Sequence, residues 1–132
     1  MAGIMSIRNY RDLLVWQKSM DLVEQVYRAT SAFPKHEMYA LSNQMQRATV
    51  SIPANIAEGH DRDSTKQYLH HIAISVGSLA ELETLLTIAL RLNYMGLPLH
   101  DSLQAACRSI GRMLRNLQRA LRARQHRKDQ NS

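Results

Sequence analysis

The chain has 132 residues, with 17 Lys and Arg against 11 Asp and Glu, a net charge of +6. That length suits one domain with a real core, and 45% apolar residues argue against disorder. A single cysteine excludes an internal disulfide and suits a reducing cytoplasm; no apolar run approaches the roughly 20 residues of a membrane span, and Met1 to Ser6 lack the basic-then-apolar order of a secretory signal.

Five glycines and three prolines punctuate the chain into four helical segments and leave no room for a sheet. Residues 1–9 are expected to be a flexible N-terminus. The first helix is predicted over 11–31, with Leu13, Trp16, Met20, Val23 and Tyr27 forming a core-facing stripe at helical spacing. Pro34 separates it from a second helix over 38–58. There Leu41, Met45, Ala48, Ile52 and Ile56 keep helical spacing on both sides of Pro53. The helix is therefore expected to continue through the proline with a kink, at a cost of about 3 kcal/mol that packing must offset. Thr49 and Ser51 are placed to bond the carbonyls that the proline frees. Gly59 fits the left-handed position just past the helix end.

The third helix is predicted over 64–93. Ser64 and Gln67 have capping-box spacing, and Leu69, Ile72, Val76, Leu79, Leu82, Leu86 and Leu90 follow. Gly77 and Ser78 are small enough to let a neighbouring backbone come close. The fourth helix opens at Pro98, which suits a first turn, and runs to about 124 through Leu103, Cys107, Ile110, Leu114, Leu117 and Leu121. Residues 125–132 read as a basic polar tail, leaving 10–124 as the folded unit. Four amphipathic helices with short connections predict an all-α, up-and-down antiparallel four-helix bundle. Leu14, Val15, Leu22, Val26, Ile74, Leu85 and Ile88 lie off the main stripes and suggest a second buried face.

The positive charge is concentrated in the last helix. Residues 1–101 hold nine Lys/Arg and ten Asp/Glu, whereas 102–132 hold eight Lys/Arg and one acid. Arg108, Arg112, Arg115, Arg119 and Arg122 step by four and three, so they share one face, nearly opposite the apolar one. Arg124, Arg127 and Lys128 extend the charge. Like charges at this spacing destabilise a helix, and the dipole of the C-terminal half compensates only in part. A solvated face, or pairing with Glu24 or Glu83 of another helix or protomer, is the plain alternative. The functional reading is polyanion binding, because arginine forks match phosphate oxygens. No aromatic residue interrupts the stripe, so phosphate contact with weak sequence preference is expected.

Nothing in the sequence forms a persuasive active site. There is no phosphate loop, dinucleotide fingerprint or nucleophile elbow. Glu58, His60 and His70 are weak metal candidates, and Cys107 reads as a small core residue rather than a reactive thiol. Arg119 and His126 meet the spacing of an arginine–histidine ribonuclease motif of HEPN bundles, but Ala120 stands where a polar residue is usual.

The run from Arg47 to Gly59 resembles the signature of the four-helix-bundle proteins encoded in intervening sequences of bacterial 23S rRNA genes. Its polar and special residues are Arg47, Ser51, Pro53, Asn55, Glu58 and Gly59. Arg11-Asp12-Leu13, Trp16-Gln17-Lys18, Tyr27, Phe33-Pro34, Glu37, Tyr39, Gln44, Arg62, Gly77-Ser78-Leu79 and Glu81-Leu82-Glu83-Thr84 continue the match across residues 9–95. Ala40 departs from it, since glycine is common there in the family. The resemblance implies a four-helix bundle assembled as a homopentamer. The fold is also similar to the accessory variability determinant of diversity-generating retroelements, a basic pentameric barrel that works with a reverse transcriptase and its template RNA. The expectation is a cytoplasmic, non-enzymatic oligomer without cofactor or metal that binds RNA or DNA through the fourth helix. The alternatives are an adaptor for a nucleic-acid enzyme and a structural oligomer with no nucleic-acid role.

Overall fold

The computed structural model describes residues 9–131. The expected flexible N-terminus lies outside these residues, except for Asn9, whose side chain accepts from the Arg11 N–H at 2.9 Å and starts a 3-10 turn over Tyr10–Asp12. Four helices follow: α1 (Leu14–Thr30), α2 (Leu41–His60), α3 (Thr65–Arg91) and α4 (Leu97–Gln130). Each packs on its chain neighbour and α4 closes back on α1, while the backbones of the diagonal pairs stay apart among the described residues. That ring order defines an up-and-down antiparallel four-helix bundle. No strand occurs among the described residues.

The face of α1 differs from the sequence expectation. Val15, Ser19, Leu22 and Val26 are buried in the core, whereas Met20 is 40% and Tyr27 45% exposed. Leu13, Trp16 and Val23 are only partly buried. Two apolar stripes share this helix, and Ser19 interrupts the true one. Its hydroxyl is satisfied locally by donating to the Val15 carbonyl at 2.7 Å, so burial costs little. Of the residues expected to make a second face, Val15, Leu22, Val26 and Leu85 belong to this single core, and Leu14, Ile74 and Ile88 are exposed.

In α2, Leu41, Met45, Ala48, Ile52 and Ile56 are all buried, as their spacing predicts. The helix is continuous through the buried Pro53. Its first turn has no side-chain cap at Ala40. Instead, Glu37 Oε1 accepts from the Leu41 N–H at 3.3 Å, and its other oxygen accepts from the Tyr94 hydroxyl at 2.7 Å. A carboxylate here also suits the positive end of the helix dipole. These bonds, Tyr94 first, hold Glu37 below the ordinary carboxylate value, and the same bond raises the Tyr94 hydroxyl.

Gly59 is not a left-handed cap. It sits buried in the last turn of α2, and no described glycine has positive φ. Its role is close approach: a Cβ there would lie 2.8 Å from His71 Cβ and 3.0 Å from Tyr68 Cδ1 on α3. Gly77, by contrast, has nothing within 4 Å of a would-be Cβ, so its expected role in intramolecular close packing does not hold.

Ser64 caps α3 by accepting from the Gln67 N–H at 3.0 Å. The stop signal is Asn93. Asn93 adopts φ 62°, and the following Tyr94 N–H returns to the Ala89 carbonyl at 2.9 Å. Asparagine tolerates that left-handed position, so it ends the helix as glycine often does. α3 is long and apolar enough, by length and composition, to cross a membrane, which corrects the reading that no segment is. Its inner face is accounted for by the bundle, since Ile72, Leu79, Leu82, Leu86 and Ala89 pack in the core between α2 and α4. In α4, Leu103, Cys107, Ile110, Leu114 and Leu121 are buried. The helix runs to Gln130, past the expected end at 124, because no glycine or proline follows Gly111 to stop it.

Two glycine substitutions should separate these roles. Gly59→Ala should destabilise the protein by about 1–3 kcal/mol, the usual cost of overpacking. Gly77→Ala should stabilise it by roughly 0.5–1 kcal/mol, the gain of replacing glycine within a helix. Denaturant melts of both variants measure this. A second expectation concerns acid. A depressed carboxylate contributes stability above its ordinary pKa and loses it as pH falls through the lowered one. Tyr94→Phe should therefore raise the Glu37 pKa, seen by NMR titration, and move the onset of acid destabilisation to higher pH.

Candidate nucleic-acid interface

The core fixes which side of α4 faces water. With its apolar residues against α1 and α3, the arginines fall outside: Arg108, Arg112, Arg115, Arg119 and Arg122 are all exposed. None pairs with a carboxylate among the described residues, so neither Glu24 nor Glu83 of the same chain neutralises them. Among the described residues the one side-chain hydrogen bond made by this group is from Arg119 Nη2 to Asn116 Oδ1 at 2.9 Å, a neutral partner one turn away. Gly111 is buried beneath Arg115, and Leu79 of α3 approaches to 3.3 Å of its would-be Cβ. Four steps over 14 residues make a row about 21 Å long.

Arg124 does not belong to this row. At 100° per residue it faces well away from Arg119. Its Nε donates to Thr65 Oγ1 at 3.2 Å, and Lys128 Nζ donates to the same oxygen at 3.2 Å. The end of α4 is thereby tied to the start of α3. This contact was missed in the sequence, where 59 residues separate the partners and only a charge pattern was visible.

The signature run divides between a buried seam and an exposed surface. On the seam, Ser78 Oγ donates to Ser51 Oγ at 2.8 Å, and the Asn55 amide donates to the Ser51 carbonyl at 2.9 Å. Ser75 Oγ donates to the Ile52 carbonyl at 2.9 Å. The Asn55 amide nitrogen being used, its Oδ1 accepts from His71 Nδ1 at 3.0 Å. Thr49 Oγ1 is buried without a partner and Ser51 Oγ bonds side chains, so neither bonds a freed carbonyl as expected. Donors from Asn55 and α3 reach the Ser51 and Ile52 carbonyls beside Pro53, not the Thr49 carbonyl that the missing Pro53 N–H would have served. His71 and Ser75 had no signal of their own in the sequence.

Glu58 stands at the exposed end of the seam. It accepts from Arg62 Nη2 at 2.6 Å, with His71 Nε2 at 4.0 Å. The Arg62 bond, helped by the His71 charge, holds its carboxyl below the ordinary value. Arg47 shares a face with Glu58 but not a contact. It lines a polar groove between α2 and α3 with Tyr39, Asn43, Gln44, Ser78 and Glu81.

The other candidates are scattered. Arg119 and His126 lie two turns apart on α4, about 10 Å along its axis. His60 stacks edge-on against Tyr68, and His70 against His71. No group of three or more His, Cys, Asp or Glu converges as for a metal among the described residues. Cys107 is fully buried, and burial pushes its thiol up to about 12, which keeps it protonated and unreactive.

A solved structure from Bacteroides thetaiotaomicron, described as a protein of unknown function from the S23 ribosomal protein family, has the same fold. It superposes with a TM-score of 0.72 at 21% identity, covering 80% of this chain and 98% of that one. No curated protein matches the chain. The profile of the 23S rRNA-intervening sequence proteins matches residues 11–116, which takes in the signature run, the α2–α3 seam and the first three arginines of the stripe. With most of its length so matched, this four-helix bundle belongs to the 23S rRNA-intervening sequence protein family.

Proposed function

We propose that this protein is a non-enzymatic, cytoplasmic homo-oligomer, pentameric in its family's manner, that binds nucleic acid through α4, with RNA the favoured ligand. The observation that carries the reading is the row Arg108, Arg112, Arg115, Arg119 and Arg122, exposed and unpaired with any carboxylate among the described residues. A face kept that positive costs helix stability, so it calls for an external anion. Guanidinium forks on a straight row of about 21 Å suit successive phosphates of one strand. Arg124, turned toward Thr65, is left out of the contact set. Self-association is supported by the apolar side chains that the bundle leaves outside, among them Leu14, Met20, Tyr27, Ile74 and Ile88. Repeated around an assembly, the rows would act together and gain avidity.

The test is binding of purified, nucleic-acid-free protein to labelled structured RNA and duplex DNA across a salt series, with mass followed by light scattering. Five phosphate contacts per protomer on a single strand should give a log–log salt slope of about −3.5. Arg112→Glu with Arg119→Glu should preserve the helical spectrum and the assembly, weaken binding about ten-fold or more, and flatten the slope. Loss of assembly in that variant would reassign the row to an interface. A well-formed oligomer that binds no polynucleotide at low salt would overturn the proposal and leave an adaptor or structural role.

A further inference from the structure

The groove between α2 and α3 takes no part in the reading above. It encloses about 480 Å³. Tyr39, Asn43, Gln44 and Arg47 form one wall, and Glu81 rises from the other beside Ser78. Tyr39 is 88% exposed and stacks on no other ring among the described residues. Arg47 and Glu81 carry opposite charges in one groove, yet they pair neither with each other nor with any other described residue. The amides of Asn43 and Gln44 also bond nothing among the described residues. A bare aromatic face, a guanidinium fork and a carboxylate therefore share one concave site, with no intramolecular use for any of them.

We propose that this groove binds a guanine base of a single-stranded or unstacked nucleotide. Guanine presents two acceptors, O6 and N7, on one edge, which an arginine fork fits in bidentate fashion. Its N1–H and amino group are adjacent donors on the Watson–Crick edge, which a carboxylate accepts. Adenine reverses this polarity by placing an amino donor where guanine has O6, so Arg47 would face a donor. Tyr39 supplies the stacking surface on which an unpaired base rests. The inference deepens the nucleic-acid reading and rests on it for the source of the base, but the subsite itself is separable from the α4 row.

The experiment is an NMR titration of the full chain with GMP and AMP, and then with short single strands containing G or A. GMP should shift the Tyr39, Arg47 and Glu81 signals and bind at least about five-fold tighter than AMP, with the same preference in the strands. Glu81→Gln should weaken GMP binding and reduce the preference while leaving AMP unchanged. Tyr39→Phe should bind as wild type, whereas Tyr39→Ala should not. In Arg112→Glu with Arg119→Glu, GMP binding should survive the loss of polynucleotide affinity, so failure of the α4 row and failure of the groove give different results. Equal binding of GMP and AMP, or shifts that avoid the groove, would overturn the proposal. So would dissociation of the assembly by Glu81→Gln, which would assign the groove to a contact between copies.

Discussion

The rest of the bundle depends on the close approach of α2 to α3. At Gly59 the two helices leave no space for a side chain, since a Cβ would fall 2.8 Å from His71 Cβ. Helices this close admit only short side chains along the seam, and the short ones here are mostly polar. Ser51, Asn55, Ser75 and Ser78 are near enough to bond directly across it or to carbonyls. Buried hydroxyls without partners would cost about 1–3 kcal/mol each, so the seam is held in the one register that satisfies them. Thr49 is the exception, buried with an unpartnered hydroxyl one turn before Pro53. Serine and asparagine donors at Ile52 and Ser51 also place hydrogen bonds beside the proline, where the α2 backbone has lost a donor of its own.

With α2 and α3 locked, the remaining helices are placed by apolar burial. α4 lies on α3 at Gly111, which packs against Leu79, and Gln104 donates to the Glu83 carbonyl at 2.9 Å. The contact fixes the rotation of α4 and so fixes the direction of its arginines. At the far end, Arg124 and Lys128 hold α4 to Thr65 through a neutral hydroxyl. The acids of the chain lie before residue 102, apart from Asp129, and none reaches the arginine row. Charge is thus segregated by element, and its field is directed outward from one helix.

Much of this was legible in the sequence, and the failures have physical causes. Helical spacing identified the cores of α2 and α4 and part of that of α3, where Leu69, Val76 and Leu90 are only half-buried and Tyr68, Leu85 and Ala89 take core places. It misassigned α1, where a second stripe containing Trp16 and Tyr27 is richer in large residues than the buried one. Aromatic bulk outweighed the pattern, and Ser19 disguised it, though a serine that bonds its own helix is at home in a core. Gly59 was read as a cap because glycine after a helix usually is one; a glycine required by a neighbouring helix leaves the same mark in one dimension. Local sequence cannot report a partner 16 or more residues away, which is why His71, Ser75 and Thr65 carried no signal.

The signature run shows how a helix can hold two kinds of information in thirteen residues. Ala48, Ile52, Ile56 and Gly59 occupy one face and are buried against the bundle. Ser51 and Asn55 lie at its border and bond across the seam. Arg47 and Glu58 lie beyond that border and reach water. The first two groups have complete structural explanations, since packing and hydrogen bonding account for each residue. Arg47 has none: its side chain makes no bond among the described residues. The same holds for Tyr39 across the turn before it and Glu81 across the groove. Residues that a fold does not need, gathered at one concavity whose walls the seam positions, are where an external partner is to be sought.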